Sequence, residues 1–233
     1  YCKNLATLEA DMNKLKELDV SQCKELTSLS CCSNELETID LSGLIHLHDF
    51  YCSGNKKLQK LDLSDACQLF RLHCSNTGIQ DLILSGNTWL QELYCSETNL
   101  QKLDLRALEN LYILNCSSSN ISSLDLTNNK KLVNLSCNDN NLTSLDLSHN
   151  PNLSEITCNN NNLKELDLTN NTGLTKLSVE HNALQRLDVT GLSLVSLNCN
   201  YNYLIPSLNL EASRNTLQTL SCNANSIRIL DLT

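Results

Sequence analysis

Apolar and polar positions follow one another in a fixed cycle along this chain. Residues 132–152 read LVNLSCNDNNLTSLDLSHNPN, or LxxLxCxxNxLxxLDLSxNxx as a pattern 21 residues long. Aligned on the LxC triplet, the copies fall at residues 8–10, 29–31, 50–52, 72–74, 93–95, 114–116, 135–137, 156–158, 177–179, 197–199 and 220–222. A fixed period in this range predicts a solenoid. Each cycle holds two alternations of period two, LxC and LDL, and such alternation marks extended chain with one buried face. The segments between them, seven or eight residues in most cycles and rich in Asn, Ser and Thr, leave little room for a helix. Stacked turns place equivalent residues about 4.8 Å apart, as in a parallel sheet, so eleven turns make a rod on the order of 50 Å long. The expected fold is a β-rich solenoid of about eleven turns, a single domain over residues 1–233, with little or no α-helix.

Stacking turns the repeat into columns. Leu26, Leu47, Leu69, Leu90, Leu111, Leu132, Leu153 and Leu174 form an inward ladder. Cys31, Cys52, Cys74, Cys95, Cys116, Cys137, Cys158, Cys199 and Cys222 share another inward slot, which Ala10 and Val179 fill elsewhere. Those two replacements show that the slot takes a small apolar group, and a buried cysteine behaves as one. In-register parallel strands hold equivalent Cβ atoms about 4.8 Å apart, too far for ordinary disulfide geometry. No ladder cysteine has a CxxC or CxxH partner, so a metal site is disfavoured as well. Cys2, Cys23, Cys32 and Cys67 lie off the column, and Cys32 is expected to face outward.

Asn34, Asn55, Asn140, Asn161, Asn182, Asn202 and Asn225 stand three residues after the Cys slot. An amide both donates and accepts, so this column satisfies the backbone groups of a corner. Thr77, Thr98 and Ser119 replace it in three successive turns, which predicts a differently built corner there. Asp19, Asp40, Asp62, Asp104, Asp125, Asp146, Asp167, Asp188 and Asp231 recur in the second alternation. Hydrogen bonds from nearby Ser or Thr and from turn amides are expected to offset their repulsion. One carboxylate per turn supplies too few of the ~6–8 oxygens of a calcium site, so no cofactor or metal is expected.

LxxLxCxxNxL resembles the leucine-rich repeat, with Cys at a usual Leu position. With LDLS and the 21-residue period it resembles the cysteine-ladder repeats of internalin J and related bacterial surface proteins. The cysteine-containing repeats of F-box proteins, longer and helical on the back, match less well. The resemblance covers essentially the whole chain. It implies a right-handed superhelix with the parallel sheet on its concave face, and a surface or secreted bacterial protein. The chain is then expected to be a fragment of a longer protein, its caps missing.

In leucine-rich repeats the outward strand positions line the concave face. Most here are small and polar, such as Ser28, Ser30, Asn134 and Ser136. Tyr51, His73 and Tyr94 are the exception, at one outward position of three adjacent turns, with Asp49, Arg71 and Glu92 beside them. An aromatic stripe flanked by alternating charge has the composition of a recognition hot spot, here for a protein or glycan ligand. Trp89 and Tyr112 lie outside the triplets, and Tyr201 and Tyr203 fall in an irregular turn with Pro206; edge packing is expected of all four.

Formal net charge is −9, against a nucleic-acid partner. No run approaches the ~20 apolar residues of a membrane span, so no membrane insertion is expected. His46, His48, His73, His149 and His181 are scattered, none beside a repeat-breaking nucleophile and an orienting acid, so the chain is not read as an enzyme. The expected function is a monomeric recognition or adhesion module. The alternatives are a passive rigid spacer and an intracellular protein-interaction scaffold, which unpaired thiols permit.

Overall fold

The computed structural model describes residues 2–232. Each LxC triplet supplies one three-residue strand: β1 (Thr7–Glu9), β2 (Ser28–Ser30), β3 (Asp49–Tyr51), β5 (Arg71–His73), β7 (Glu92–Tyr94), β8 (Ile113–Asn115), β9 (Asn134–Ser136), β10 (Glu155–Thr157), β11 (Lys176–Ser178), β12 (Ser196–Asn198) and β13 (Thr219–Ser221). They form one parallel sheet in that order. The LDL alternation becomes regular strand in two turns only, β4 (Lys60–Asp62) and β6 (Asp81–Ile83), which pair with each other on the other side of the coil. The described residues contain no α-helix, and a single 3₁₀ turn at Glu211–Ser213. Register follows the repeat: Leu29 lies against Leu8 and Phe50, and Leu135 against Leu114 and Ile156.

The strands are short because every turn leaves the sheet at the same point. The residue two after the Cys slot adopts a left-handed backbone in each turn, from Ser33 and Gly54 through Asp139 and Asn160 to His181 and Tyr201. A non-glycine residue there is strained, and Asn and Asp tolerate the region best. The asparagine column closes the corner. Asn140 Nδ2 donates to the carbonyls of Cys116 and Cys137 at 2.9 and 3.2 Å, and its Oδ1 accepts the Ile121 N–H at 3.0 Å. The corner at Thr77, Thr98 and Ser119 is indeed different. Thr77 and Thr98 bond the carbonyls of Cys74 and Cys95, and Thr98 meets Ser119 hydroxyl to hydroxyl at 2.9 Å. These shorter side chains form no bond to the carbonyl of the preceding Cys slot, which the asparagines reach.

Inside, the leucine ladders and the cysteine ladder form one continuous core. Burying each leucine contributes on the order of 1.5–3 kcal/mol, and only stacking achieves it. All thirteen cysteines are free, and Cys31 through Cys199 of the ladder are buried. Burial pushes the Cys74 and Cys116 thiols up to about 12, far from the thiolate needed for reaction. Cys32 is only half-buried, and burial and the neighbouring Asp11 carboxylate raise its thiol too.

A second asparagine ladder accompanies the first. Asn87, Asn129, Asn150 and Asn171, the last letter of LDLSxN, are fully buried. Asn150 Nδ2 donates to the carbonyls of Leu126 and Asn129 at 3.1 and 2.9 Å, while its Oδ1 has no partner.

The aspartate column faces solvent as a row of Asx turns. Asp40, Asp125, Asp146 and Asp188 each accept the backbone N–H two residues on, at 2.9 to 3.1 Å. The Ser or Thr hydroxyl two residues on, together with that backbone N–H, holds each carboxyl below its ordinary value. Asp104, bonded twice by the Arg106 guanidinium, falls to about 2.

Candidate functional site

The third, fourth and fifth strands of the sheet, β3, β5 and β7, carry the residues picked out by their departure from the repeat. Pairing puts Tyr51 opposite His73 and His73 opposite Tyr94, and likewise Asp49, Arg71 and Glu92 side by side. The strand period sends both sets outward while Phe50, Leu72 and Leu93 between them are fully buried. The rings touch. Tyr51 and His73 meet edge to face, centroids 4.9 Å apart and planes at 63°. His73 and Tyr94 are 4.3 Å apart and tilted by 42°. Such pairs contribute about 0.5–1.5 kcal/mol each beyond the area they cover. Burial lowers the His73 pKa, Arg71 lowers it further, and Glu92 and Asp49 oppose them. His73 is therefore neutral at pH 7, and the stripe is an uncharged aromatic surface. Burial, then Glu92, pushes the Tyr94 phenol up.

Beside the rings, Arg71 Nε lies 3.1 Å from Asp49 Oδ1. Both atoms are shielded from solvent, although the two side chains as a whole are partly open. The Arg71 guanidinium also sits over the Phe70 ring, 5.7 Å from its centroid. Glu92 completes the column by register.

The later turns of the same face contrast with this. Their small polar side chains bond one another: Asn138 to Thr157, Ser178 to Asn159, and Asn198 to Glu180. Hydrogen-bonding capacity there is partly spent within the sheet.

Trp89 and Tyr112 were expected to pack at an edge, and they do not. Trp89 is 63% exposed and Tyr112 46%. Trp89 stands four residues before the central leucine of β7, at the entry rim of the sheet, and with His48, Asp49, Gln68, Phe70 and Arg71 it borders a groove of about 470 Å³. The LxC period reports only which residues of a triplet face out, so a rim residue ahead of the strand carries no such signal.

Tyr203 is also on the surface, 62% exposed, whereas Tyr201 packs against a neighbouring turn. Tyr201 stacks on His181, centroids 4.4 Å apart and planes at 5°, and Tyr203 meets Tyr201 edge-on. The cause is an inserted residue. Ile205 fills the inward slot and is fully buried, so Tyr203 and Leu204 bulge outward. A depression on the aspartate side, bordered by Asp146, Asp167, Asp188 and Arg186, holds carboxylates already engaged in Asx turns. No group of three or more His, Cys, Asp or Glu side chains able to hold a metal occurs among the described residues. No helix among them is long and apolar enough to cross a membrane.

No protein-family model and no curated protein matches the chain. Solved structures do. The functional domain of InlJ from Listeria monocytogenes, whose description includes a cysteine ladder, is 31% identical over 98% of this chain and 56% of its own, with a TM-score of 0.74. The chain thus spans just over half the length of that domain. The internalin inlF of the same organism is 22% identical over 96% of this chain and 75% of its own, TM-score 0.74. The TLR13–ssRNA13 complex is 22% identical over 94% of this chain and 36% of the other, TM-score 0.72. At the identity of the last two the likeness is one of fold.

Proposed function

The chain is a leucine-rich-repeat solenoid of the cysteine-ladder type, similar to InlJ, and from that premise we propose that it is a non-enzymatic recognition module. Its binding surface is the outward face of β3, β5 and β7. The observation that supports this is the in-register stack of Tyr51, His73 and Tyr94 on a face where most other outward residues are small and polar. Aromatic rings and arginine carry most of the energy of protein interfaces, and here Asp49, Arg71 and Glu92 frame them. A rigid stack of turns presents such residues without ordering them on binding, which saves the entropic cost of association. The ligand is a protein or glycan of a host or neighbouring cell, and the module belongs to a surface or secreted bacterial protein, as the likeness to InlJ and inlF supports. One structure of similar fold, TLR13, is a complex with ssRNA13. The net charge of −9 here makes phosphate contacts costly, so the polyanion is not the partner proposed.

Arrays of cell-surface proteins and glycans identify the ligand. Tyr51→Ala and Tyr94→Ala are then each expected to weaken its capture at least about tenfold, a loss of about 1.4 kcal/mol, while the melting temperature falls by no more than the loss of one ring contact. Unchanged capture by both variants rejects the surface. One observation favours a second reading: with all thirteen thiols free, the same face would serve equally as an intracellular scaffold. Fractionation of the native protein separates the two.

A further inference from the structure

The groove at the entry rim has a chemistry distinct from that of the aromatic stripe. Its outer wall is the indole of Trp89, the single tryptophan of the chain, left 63% exposed. A large flat apolar ring held open to water offers a face for stacking, and here it borders a groove with polar walls. Around it stand four planar polar groups: the His48 imidazole, the Asp49 carboxylate, the Gln68 amide and the Arg71 guanidinium. His48 Nε2 and Gln68 Oε1 lie 3.2 Å apart, which leaves the Gln68 amide nitrogen as a free donor. Asp49 Oδ1 faces Arg71 Nε at 3.1 Å. The second carboxylate oxygen and the two terminal guanidinium nitrogens therefore stay available.

We propose that this groove is a subsite for one ring of a neutral saccharide. Three features argue for that class. Its about 470 Å³ falls within the range of small-molecule sites and is ample for a single sugar ring. Its walls are amphipathic in the same sense as a pyranose, which has an apolar face of axial C–H groups and a rim of hydroxyls. The C–H face meets the electron-rich face of the indole, and the hydroxyls meet donors and acceptors that are planar, closely set and paired with one another. Finally, the two charges neutralise each other. An anion finds Arg71 already paired and Asp49 repelling it, and a cation meets the reverse, whereas uncharged hydroxyls use both partners at once. The proposal rests on the reading of this face as a recognition surface, with which it shares Asp49 and Arg71, and it names the class of ligand.

The single tryptophan makes a direct test possible. Methyl glucopyranoside, methyl galactopyranoside, N-acetylglucosamine and the anionic N-acetylneuraminic acid are titrated into the intact chain while the indole emission is followed. At least one neutral sugar is expected to shift the emission saturably with a Kd near about 1 mM, the affinity of a single small contact. The same sugar should show saturation transfer by NMR that falls at least tenfold in Trp89→Ala, persists in Trp89→Phe, and weakens several-fold in Gln68→Ala. Both positions are exposed, so melting curves are expected to superimpose on that of the parent. Absence of any neutral-sugar response up to tens of millimolar overturns the proposal. So does binding that Trp89→Ala leaves intact, or binding that is tighter for N-acetylneuraminic acid than for the neutral sugars. Sugar binding at the groove is read by the indole of Trp89, whereas the stripe is read by ligand capture in Tyr51→Ala and Tyr94→Ala. A failure of the stripe and a failure of the groove are therefore distinguishable.

Discussion

Two asparagines of one turn show what decides the value of a buried amide. Asn140 has both ends engaged: its Nδ2 serves two carbonyls, and its Oδ1 holds the Ile121 N–H. Asn150 serves two carbonyls and leaves Oδ1 buried without a partner. The carbonyls that the second ladder uses already accept a backbone N–H; that of Leu126, for one, receives Asn129. The equivalent slot holds Leu44, Leu108 and Leu192 in other turns, all buried. Asn140→Leu strands the Ile121 N–H in the core and is expected to cost at least about 2–3 kcal/mol. Asn150→Leu loses a half-satisfied amide, gains apolar contact, and is expected to change stability by less than about 1 kcal/mol. Urea denaturation of the two variants side by side checks this; equal losses would show that the unpartnered oxygen is served by a group, such as an internal water, that evens the two sites. The cysteines follow the same logic. Cys137 is a small apolar group in a slot that Val179 fills equally well.

At the scale of the element, what a pattern discloses depends on how many chemistries a position tolerates. The inward strand slots accept little besides apolar groups, mostly Leu and Cys with Ala, Val, Ile or Phe in places, so strands, register and the outward direction of Tyr51, His73 and Tyr94 could all be read from the repeat. The first asparagine column was legible because Asn recurs at a fixed distance from Cys. The second stands in the same pattern, at the last letter of LDLSxN, but its burial was not legible, since an Asn two residues after Ser or Thr in a polar segment looks like any turn residue. Trp89 and Tyr112 were misjudged because the path of the chain entering a strand is set by corner geometry, which the surrounding polar residues do not encode. The outward bulge at Tyr203 and Leu204 comes from one residue of insertion, and the sequence marked that turn only as irregular. The aspartate element gives a pH prediction. Asp19, Asp40, Asp62, Asp104, Asp125, Asp146, Asp167 and Asp188 are all held below their ordinary value by Asx-turn donors. Their folded pKa values lie below the unfolded ones, so their contribution is complete above about pH 4 and is lost as pH falls through the folded values. Asp104, at about 2, is the last to protonate. The melting temperature is expected to hold from neutral pH down to about 5 and then decline progressively toward about 2. A melting temperature that does not fall over that interval would show that the Asx turns add nothing to the folded state.

The molecule as a whole is a stack in which each turn contacts only its neighbours, and its stability is therefore distributed rather than centred. A lesion in the middle interrupts the coupling between two groups of turns, while one at an end removes a single contact surface. Leu8 and Leu135 occupy the same ladder position and serve as the test pair. Leu135 is buried between Leu114 and Ile156, whereas Leu8 is only half-buried and has Leu29 as its one described strand neighbour. Leu135→Ala is expected to cost about 2–5 kcal/mol, the range for a buried leucine truncated in a core that cannot collapse. It is also expected to lower the ratio of van't Hoff to calorimetric enthalpy, because turns on either side can melt apart. Leu8→Ala is expected to cost less than half as much and to leave that ratio unchanged. Equal costs for the two would mean that the stack melts as one cooperative unit with no weak seam. The proposed binding face of β3, β5 and β7 lies on the near side of Leu135 along the chain, so in the decoupled variant it should persist while the turns beyond melt. Ligand capture by Leu135→Ala is therefore expected to match that of the parent at temperatures where its far-ultraviolet signal has already begun to fall.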